Sequence, residues 1–187
     1  MASSNESSVL TGKTAFHTMT REELLRALEM FAKHWLAHDG CWFLAAEESL
    51  GIDAAIELDT NAWQRFAVAE ANRIMTTFDI RPAGGLAALE KALGLRQYSL
   101  INTQRVEWSA DGKRLRFFMD VCRVQETRRR KGLADFPCKS VGTVEFETFA
   151  RTVDPRIHTR CLHCPPDAEE SKYCGWEFCL KSDGEAK

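Results

Sequence analysis

The chain has no long apolar run. Its hydrophobic stretches fall well short of the ~20 residues that a bilayer-spanning helix needs, so no membrane span is expected. It has no strong excess of one charge. With 25 Lys and Arg against 27 Asp and Glu, the net charge is -2, which gives no overall pull toward nucleic acid or an anionic membrane. The N-terminus, Met-Ala-Ser-Ser-Asn-Glu-Ser-Ser, lacks the basic start and apolar stretch of a secretory signal. A cytoplasmic location follows as the expectation. There is no internal repeat, and no Glu-x-x-His pair of the di-iron bundle type, because Glu70 has Arg73 at that offset.

Cysteine is present in quantity. There are seven cysteines, and in a reducing compartment thiols serve as metal ligands, nucleophiles or small buried residues rather than as a disulfide framework. Four of them crowd into Arg160-Cys161-Leu162-His163-Cys164-Pro165-Pro166-Asp167 and Tyr173-Cys174-Gly175-Trp176-Glu177-Phe178-Cys179.

At 187 residues with 44% hydrophobic content, the chain is long enough for one domain with a proper core. Residues 1–17 are polar and without period, and read as a disordered tail. Thr20-Arg21-Glu22-Glu23 fits a capping box. A helix then runs to about Leu50, carrying Leu24, Leu28, Phe31, Trp35, Trp42 and Ala46 inward, with Gly40 weakening its middle and Gly51 as its stop. Ile52 to Leu58 reads as a separate helical turn. Asp59 or Thr60 then caps a helix from Asn61 to Phe78, whose stripe is Trp63, Phe66, Ala67, Ile74 and Phe78. A short helix follows from Leu86 to Leu93.

The pattern then becomes extended. Residues 100–109 and 115–124 form a hairpin about Asp111-Gly112. Residues 125–131 are basic and helical, and about Cys138 to Val153 is a further helix that ends at Asp154-Pro155. Two more strands cover Arg156–Leu162 and Cys174–Leu180, and 182–187 is a polar tail. The fold class is α+β: N-terminal helices packed on an antiparallel sheet of two hairpins with a helix between them, as one domain over 18–181.

Three groups of residues could carry chemistry. Cys161 and Cys164 have the Cys-x2-Cys spacing of a zinc knuckle, with Cys174 and His163 as further ligands. Zinc or iron would be the ions such a set holds. Cys174 and Cys179 stand five apart on a strand, so both could reach one ion only through a bulge at Gly175. The plain alternative is small buried residues on paired strands. The second group is Cys138, after Phe136-Pro137 at a helix start, near Arg128, Arg129 and Arg130. Aligned N–H groups and cations favour its thiolate, a nucleophile for which His158 or His163 could be the base. The arginines could hold an anionic substrate, or form a solvated face. The third group lies on helices: His34 and His38 share a face, Asp39 falls beside Trp35 and Trp42, and Glu70 sits within the Trp63 stripe. Buried carboxylates must be paired, metal-bound or protonated. His38, Asp39 and Glu70 could make an acid–base site beside Trp42, or could be internal ion pairs with Arg65 or Arg73.

Trp35-x-x-His38-Asp39-Gly40-x-Trp42-Phe43 with Glu48, Cys122-x-x-Gln125, Gly132-x-x-x-Phe136-Pro137-Cys138 and Cys161-x-x-Cys164-Pro165-Pro166-Asp167 form a set. The set resembles an uncharacterised family of small cytosolic proteins from bacteria and archaea. That family is similar, at a distance, to the L-2-amino-thiazoline-4-carboxylate hydrolases and to the small-molecule-binding domain of the vinyl-reductase and vesicle-tethering type. The resemblance implies an α+β fold and a small-molecule ligand, and by fold-level analogy a hydrolase that opens a cyclic sulfur–nitrogen substrate. The expectation is a cytosolic small-molecule-binding protein for a small anionic ligand, with Cys138 reactive. A non-enzymatic metal-binding or sensing module is the alternative, and a homodimer is compatible with either.

Overall fold

A computed structural model describes residues 12–167 and 173–181. Among these are six α-helices, one 3-10 segment and a four-stranded sheet. No helix among the described residues is long and apolar enough to cross a membrane.

The expected disordered tail lies outside the described residues as far as residue 11. Gly12–His17 is instead a short helix, α1, whose Phe16 ring meets Phe31 edge-on at 5.9 Å. The capping box forms as the sequence predicts. Thr20 Oγ1 accepts from Glu23 N at 3.2 Å, and the Glu23 carboxylate accepts from Thr20 N at 2.8 Å. Helix α2 then runs unbroken through Gly40, over Arg21–Leu50. Gly51, at φ 86, ends it in a conformation that glycine adopts without strain. Helix α3, Ile52–Thr77, starts at once and is continuous. The expected break at Asp59 and Thr60 does not occur, because Thr60 donates its hydroxyl back to Ile56 O at 2.7 Å and stays helical.

Helix α4 is Gly85–Gly94 and the 3-10 segment is Gln97–Leu100. Strands β1 (Thr103–Trp108) and β2 (Arg114–Val121) form the expected hairpin. Helices α5 (Arg123–Arg130) and α6 (Lys139–Val153) follow, then β3 (Ile157–His163) and β4 (Cys174–Leu180). All pairings are antiparallel, in the order β1-β2-β4-β3, so the two hairpins join through β2 and β4.

The core lies between helices and sheet. Phe146 of α6 stacks on Trp176 of β4 at 4.8 Å and meets Phe117 of β2 at 5.4 Å. Ala67, Ala71 and Ala150 are fully buried small residues among α3 and α6. The stripe on α2 differs from the expectation. Ala32, Leu36 and Ala46 are buried, whereas Leu24, Leu28, Phe31 and Trp42 are exposed. The apolar period of this 30-residue helix therefore does not coincide with the face that it buries.

Candidate functional site

A cavity of about 380 Å³ lies between α2, α3, the 3-10 segment, α5, α6 and the strands β2 and β4. Aromatic rings form much of its wall: Phe43, Trp63, Tyr98, Phe136, Phe146 and Trp176. Two glycines shape it. At Gly40 an added Cβ would meet nothing within 4 Å, so α2 leaves open space there. At Gly142 an added Cβ would stand 2.9 Å from Trp176 Cζ2, so α6 presses its bare backbone onto the indole.

Charged groups reach this apolar space from several elements. Arg96 is 3% exposed and donates to Glu70 at 2.9 Å and to Glu145 at 2.6 Å. Four rings surround its guanidinium, with Phe149 at 4.8 Å and Phe146 at 5.5 Å, so the cation is desolvated but doubly paired. Asp39 from α2, Asp59 from α3 and Glu145 from α6 line the cavity. Burial raises the Asp39 carboxyl above its ordinary range. Burial, then the charges of Asp39 and Glu145, push Asp59 to about 7, against a hydrogen bond from Trp63. Burial also raises Glu145, although Arg96 opposes it. Tyr98 is raised well above 10 by burial first and then by the same acids.

Thiols form a second group on the wall: Cys122, Cys138, Cys164 and Cys174. All seven cysteines are free. Cys138 caps α6, and its Sγ lies 3.5 Å from Cys164 Sγ. Gln125 Nε2 approaches Cys138 Sγ at 3.6 Å and donates to Phe136 O at 2.8 Å, while Gln125 Oε1 accepts from Phe136 N at 2.8 Å. One buried amide thus fixes the Phe136-Pro137-Cys138 entry into the helix. The hydrogen bond with Cys164 is the main cause that lowers the Cys138 thiol, with Gln125 adding to it and burial opposing. Cys164 is raised, chiefly by its bonds with Cys138 and Cys174. Burial pushes Cys122 up to about 12 and Cys161 to about 11.

Of the residues the sequence singled out, Cys138, Asp39, Arg128, Arg130, Cys164 and Cys174 reach this cavity. Glu70 stands behind it, joined through Arg96 rather than Arg65 or Arg73. His38 and Trp42 turn away: they open onto a separate shallow groove with Ala45, Leu50 and Leu58. Successive helical residues diverge by ~100°, so His38 faces away from the cavity that Asp39 lines. Arg128 pairs with Glu47 at 2.8 Å and donates to Ala134 O at 2.8 Å. Arg129 pairs with Asp135 at 2.7 Å and lies on the exposed side.

The four expected metal ligands do not assemble. His163 stacks on Phe118 at 6.3 Å, packed against Gly175 so closely that a Cβ there would meet His163 Cε1 at 2.6 Å. Strand β4 is regular from Cys174 to Cys179, so the bulge that would bring them together is absent, and the irregularity falls between Cys161 and His163 in β3. Among the described residues, no three His, Cys, Asp or Glu side chains stand where they could hold one ion.

Arg96, Asp59, Glu145 and Gln125 were not singled out as site residues from the sequence alone. Two carried a signal. Asp59 precedes Trp63 and Phe66 at helical spacing, and Glu145 falls midway between Val141 and Phe149, so each is an acid inside an apolar stripe, as Glu70 is.

Fold and cavity define an α+β protein with a partly open, aromatic-walled space between helices and sheet. The chain belongs to the family of unknown function DUF6125, whose profile matches residues 17–180. It matches none of the curated proteins with which it was compared. Among solved structures it is similar to the phenol-responsive sensory domain of the transcription activator PoxR, crystallised with phenol. That match is 15% identical with a TM-score of 0.51, over 77% of this chain and 73% of that one. It is also similar to subunit 3 of a trafficking protein particle complex from Naegleria fowleri, covalently bound to palmitic acid, at 10% identity and a TM-score of 0.46, over 87% and 98%. At such identities the likeness is one of fold.

Proposed function

We propose that the protein binds a small organic molecule inside the cavity between α2, α3, α6 and the sheet, in a reducing compartment where its thiols persist. The cavity itself carries the reading. At about 380 Å³ it falls within the size range of small-molecule sites, and it has their composition: mostly apolar and aromatic wall with a few convergent, perturbed polar groups. At the ~30 Å³ that liquid water allots each molecule, the space equals about a dozen heavy atoms. That the PoxR sensory domain, of similar fold, was crystallised with phenol agrees with a ligand of this scale.

Thermal unfolding with phenol, indole or 2-phenylethanol tests it. A probe at ten times its Kd stabilises by ~1.4 kcal/mol, a rise of ~3–6 °C for a chain of this size. Gly40→Phe, which places a ring where the helix leaves open space, removes the rise while the variant stays folded. No rise with any probe, or a rise that Gly40→Phe leaves intact, sinks the reading.

The second reading is thiol-dependent hydrolysis of the thiazoline-carboxylate type. It is favoured by one observation, the lowered thiol of Cys138 on the cavity wall. Turnover of a 2-aminothiazoline carboxylate that Cys138→Ser abolishes would support it.

A further inference from the structure

Two of the thiols that border the cavity are in contact. Cys138 Sγ stands 3.5 Å from Cys164 Sγ, and both residues line the same space. Neither a bound small molecule nor thiol-dependent hydrolysis calls for a second sulfur at that distance. Cysteines also meet where they merely fill volume. Three features set this pair apart.

The first is that the two backbones are fastened to each other. Lys139, next to Cys138, donates its N–H to Pro165 O at 3.0 Å. Its Nζ donates to both carboxylate oxygens of Asp167, at 2.9 and 2.8 Å. Asp167 in turn accepts from Cys164 N at 3.2 Å. The sulfurs are thus held together by their neighbours as well as by their own contact. The second is that the two sulfurs differ. Gln125 Nε2 donates to Cys138 Sγ at 3.6 Å, and two bonds with the Phe136 main chain lock that amide in place. The donor favours a thiolate at Cys138, toward which the Cys164 S–H donates across the contact. The third is access. Cys164 is only 2% exposed, yet the partly open cavity that it lines gives a small solute a way in.

We propose that Cys138 and Cys164 are a redox couple, which a small hydroperoxide entering the cavity oxidises to a disulfide. The step goes beyond both readings above and requires neither. The Cys138 thiolate attacks the peroxide: an S–O bond forms, the O–O bond breaks, and the departing oxygen takes a proton and leaves as water or alcohol. Cys138 is then a sulfenic acid. Cys164 sulfur attacks it: the S–S bond forms, the S–O bond breaks, and the hydroxyl leaves as water with the Cys164 proton. The two sulfurs together give up two electrons and the peroxide accepts them. Cellular dithiols restore the pair by exchange, as suits a transient disulfide in a reducing compartment.

The wild-type protein, fully reduced and freed of reductant, is treated with hydrogen peroxide at pH 7 and quenched with N-ethylmaleimide. Peptide mass mapping without reduction reads which thiols are lost and which are joined. Cys138 is oxidised about tenfold faster than the exposed Cys41, and the product joins Cys138 to Cys164 until dithiothreitol separates them. With dimedone present, Cys164→Ser accumulates a sulfenic-acid adduct at Cys138 and forms no such link, whereas Cys138→Ser forms neither. Oxidation of Cys138 no faster than Cys41 overturns the proposal. So does a wild-type disulfide that joins any other pair, such as Cys164 with Cys174, or a stable Cys138 sulfenic acid that Cys164 does not resolve. The wild-type map decides the matter by itself if a serine variant fails to fold.

Discussion

At the scale of single residues, Cys138 shows how a side chain acquires reactivity from neighbours far along the chain. Its sulfur is 3.5 Å from that of Cys164 and 3.6 Å from the Gln125 amide, and both favour the thiolate. At Cys122 and Cys161, by contrast, desolvation outweighs the groups that favour the thiolate and pushes the thiols up to about 12 and 11. Thiolate fraction governs alkylation. Carbamidomethylation of the native protein at neutral pH, mapped by peptide mass, is therefore expected to reach Cys138 well before Cys122, Cys161 or Cys164. Gln125→Leu slows it by removing a donor. If Cys138 is alkylated no sooner than Cys122, the account of its activation fails. The Phe136-Pro137-Cys138 sequence announced a helix start, but no spacing rule pointed to Gln125 or Cys164. Cys164 reaches Cys138 because the end of β3 returns beside the start of α6, and Gln125 does so because α5 packs its amide on the Phe136 backbone.

At the scale of elements, two glycines inside helices have opposite meanings. Gly40 of α2 faces open space, so Gly40→Ala meets no obstacle and gains helix propensity, about 1 kcal/mol. Gly142 of α6 faces Trp176 at 2.9 Å. There an added methyl must displace the indole from its stack on Phe146, and overpacking of that kind costs about 1–3 kcal/mol. Denaturant unfolding of Gly40→Ala and Gly142→Ala should move the midpoint in opposite directions. The same sign for both would mean that the α6–sheet contact is looser than described. The boundaries of α2, α4 and α6 were legible because caps and punctuating glycines are local signals. The continuity of α3 was not, because Asp59 reads as a cap in sequence and serves as a cavity acid in the fold.

At the scale of the whole molecule, the acids that gather from α2, α3 and α6 tie stability to pH. Asp59 is raised in the folded protein to about 7 from an unfolded value near 3.9. Between these values the folded state holds more protons than the unfolded one. Stability from this group therefore falls as pH rises through the window, and the penalty is complete above about 7. Asp59→Asn is expected to raise the thermal midpoint over wild type at pH 8 and to converge with it near pH 4, which scanning calorimetry at both pH values reads. Asp154 works the other way. Hydrogen bonds from Arg156, and from the Gly85 N–H at 2.9 Å, hold it at about 2, so its contribution is present above the unfolded value and is lost as pH falls toward 2.

The sequence by itself determined the class of fold, the capping of α2, the first hairpin and the presence of acids within apolar stripes. Each follows from periodicity or from chemistry among near neighbours in the chain. It also marked Cys138 and Asp39. Only the tertiary structure decided that these two border one cavity while His38 and Trp42 face another, that Arg96 answers Glu70, and that Cys164 lies beside Cys138. Those outcomes depend on which faces of separate elements meet when the helices close on the sheet, and residue spacing along a chain does not encode the distance between elements that pack from opposite sides.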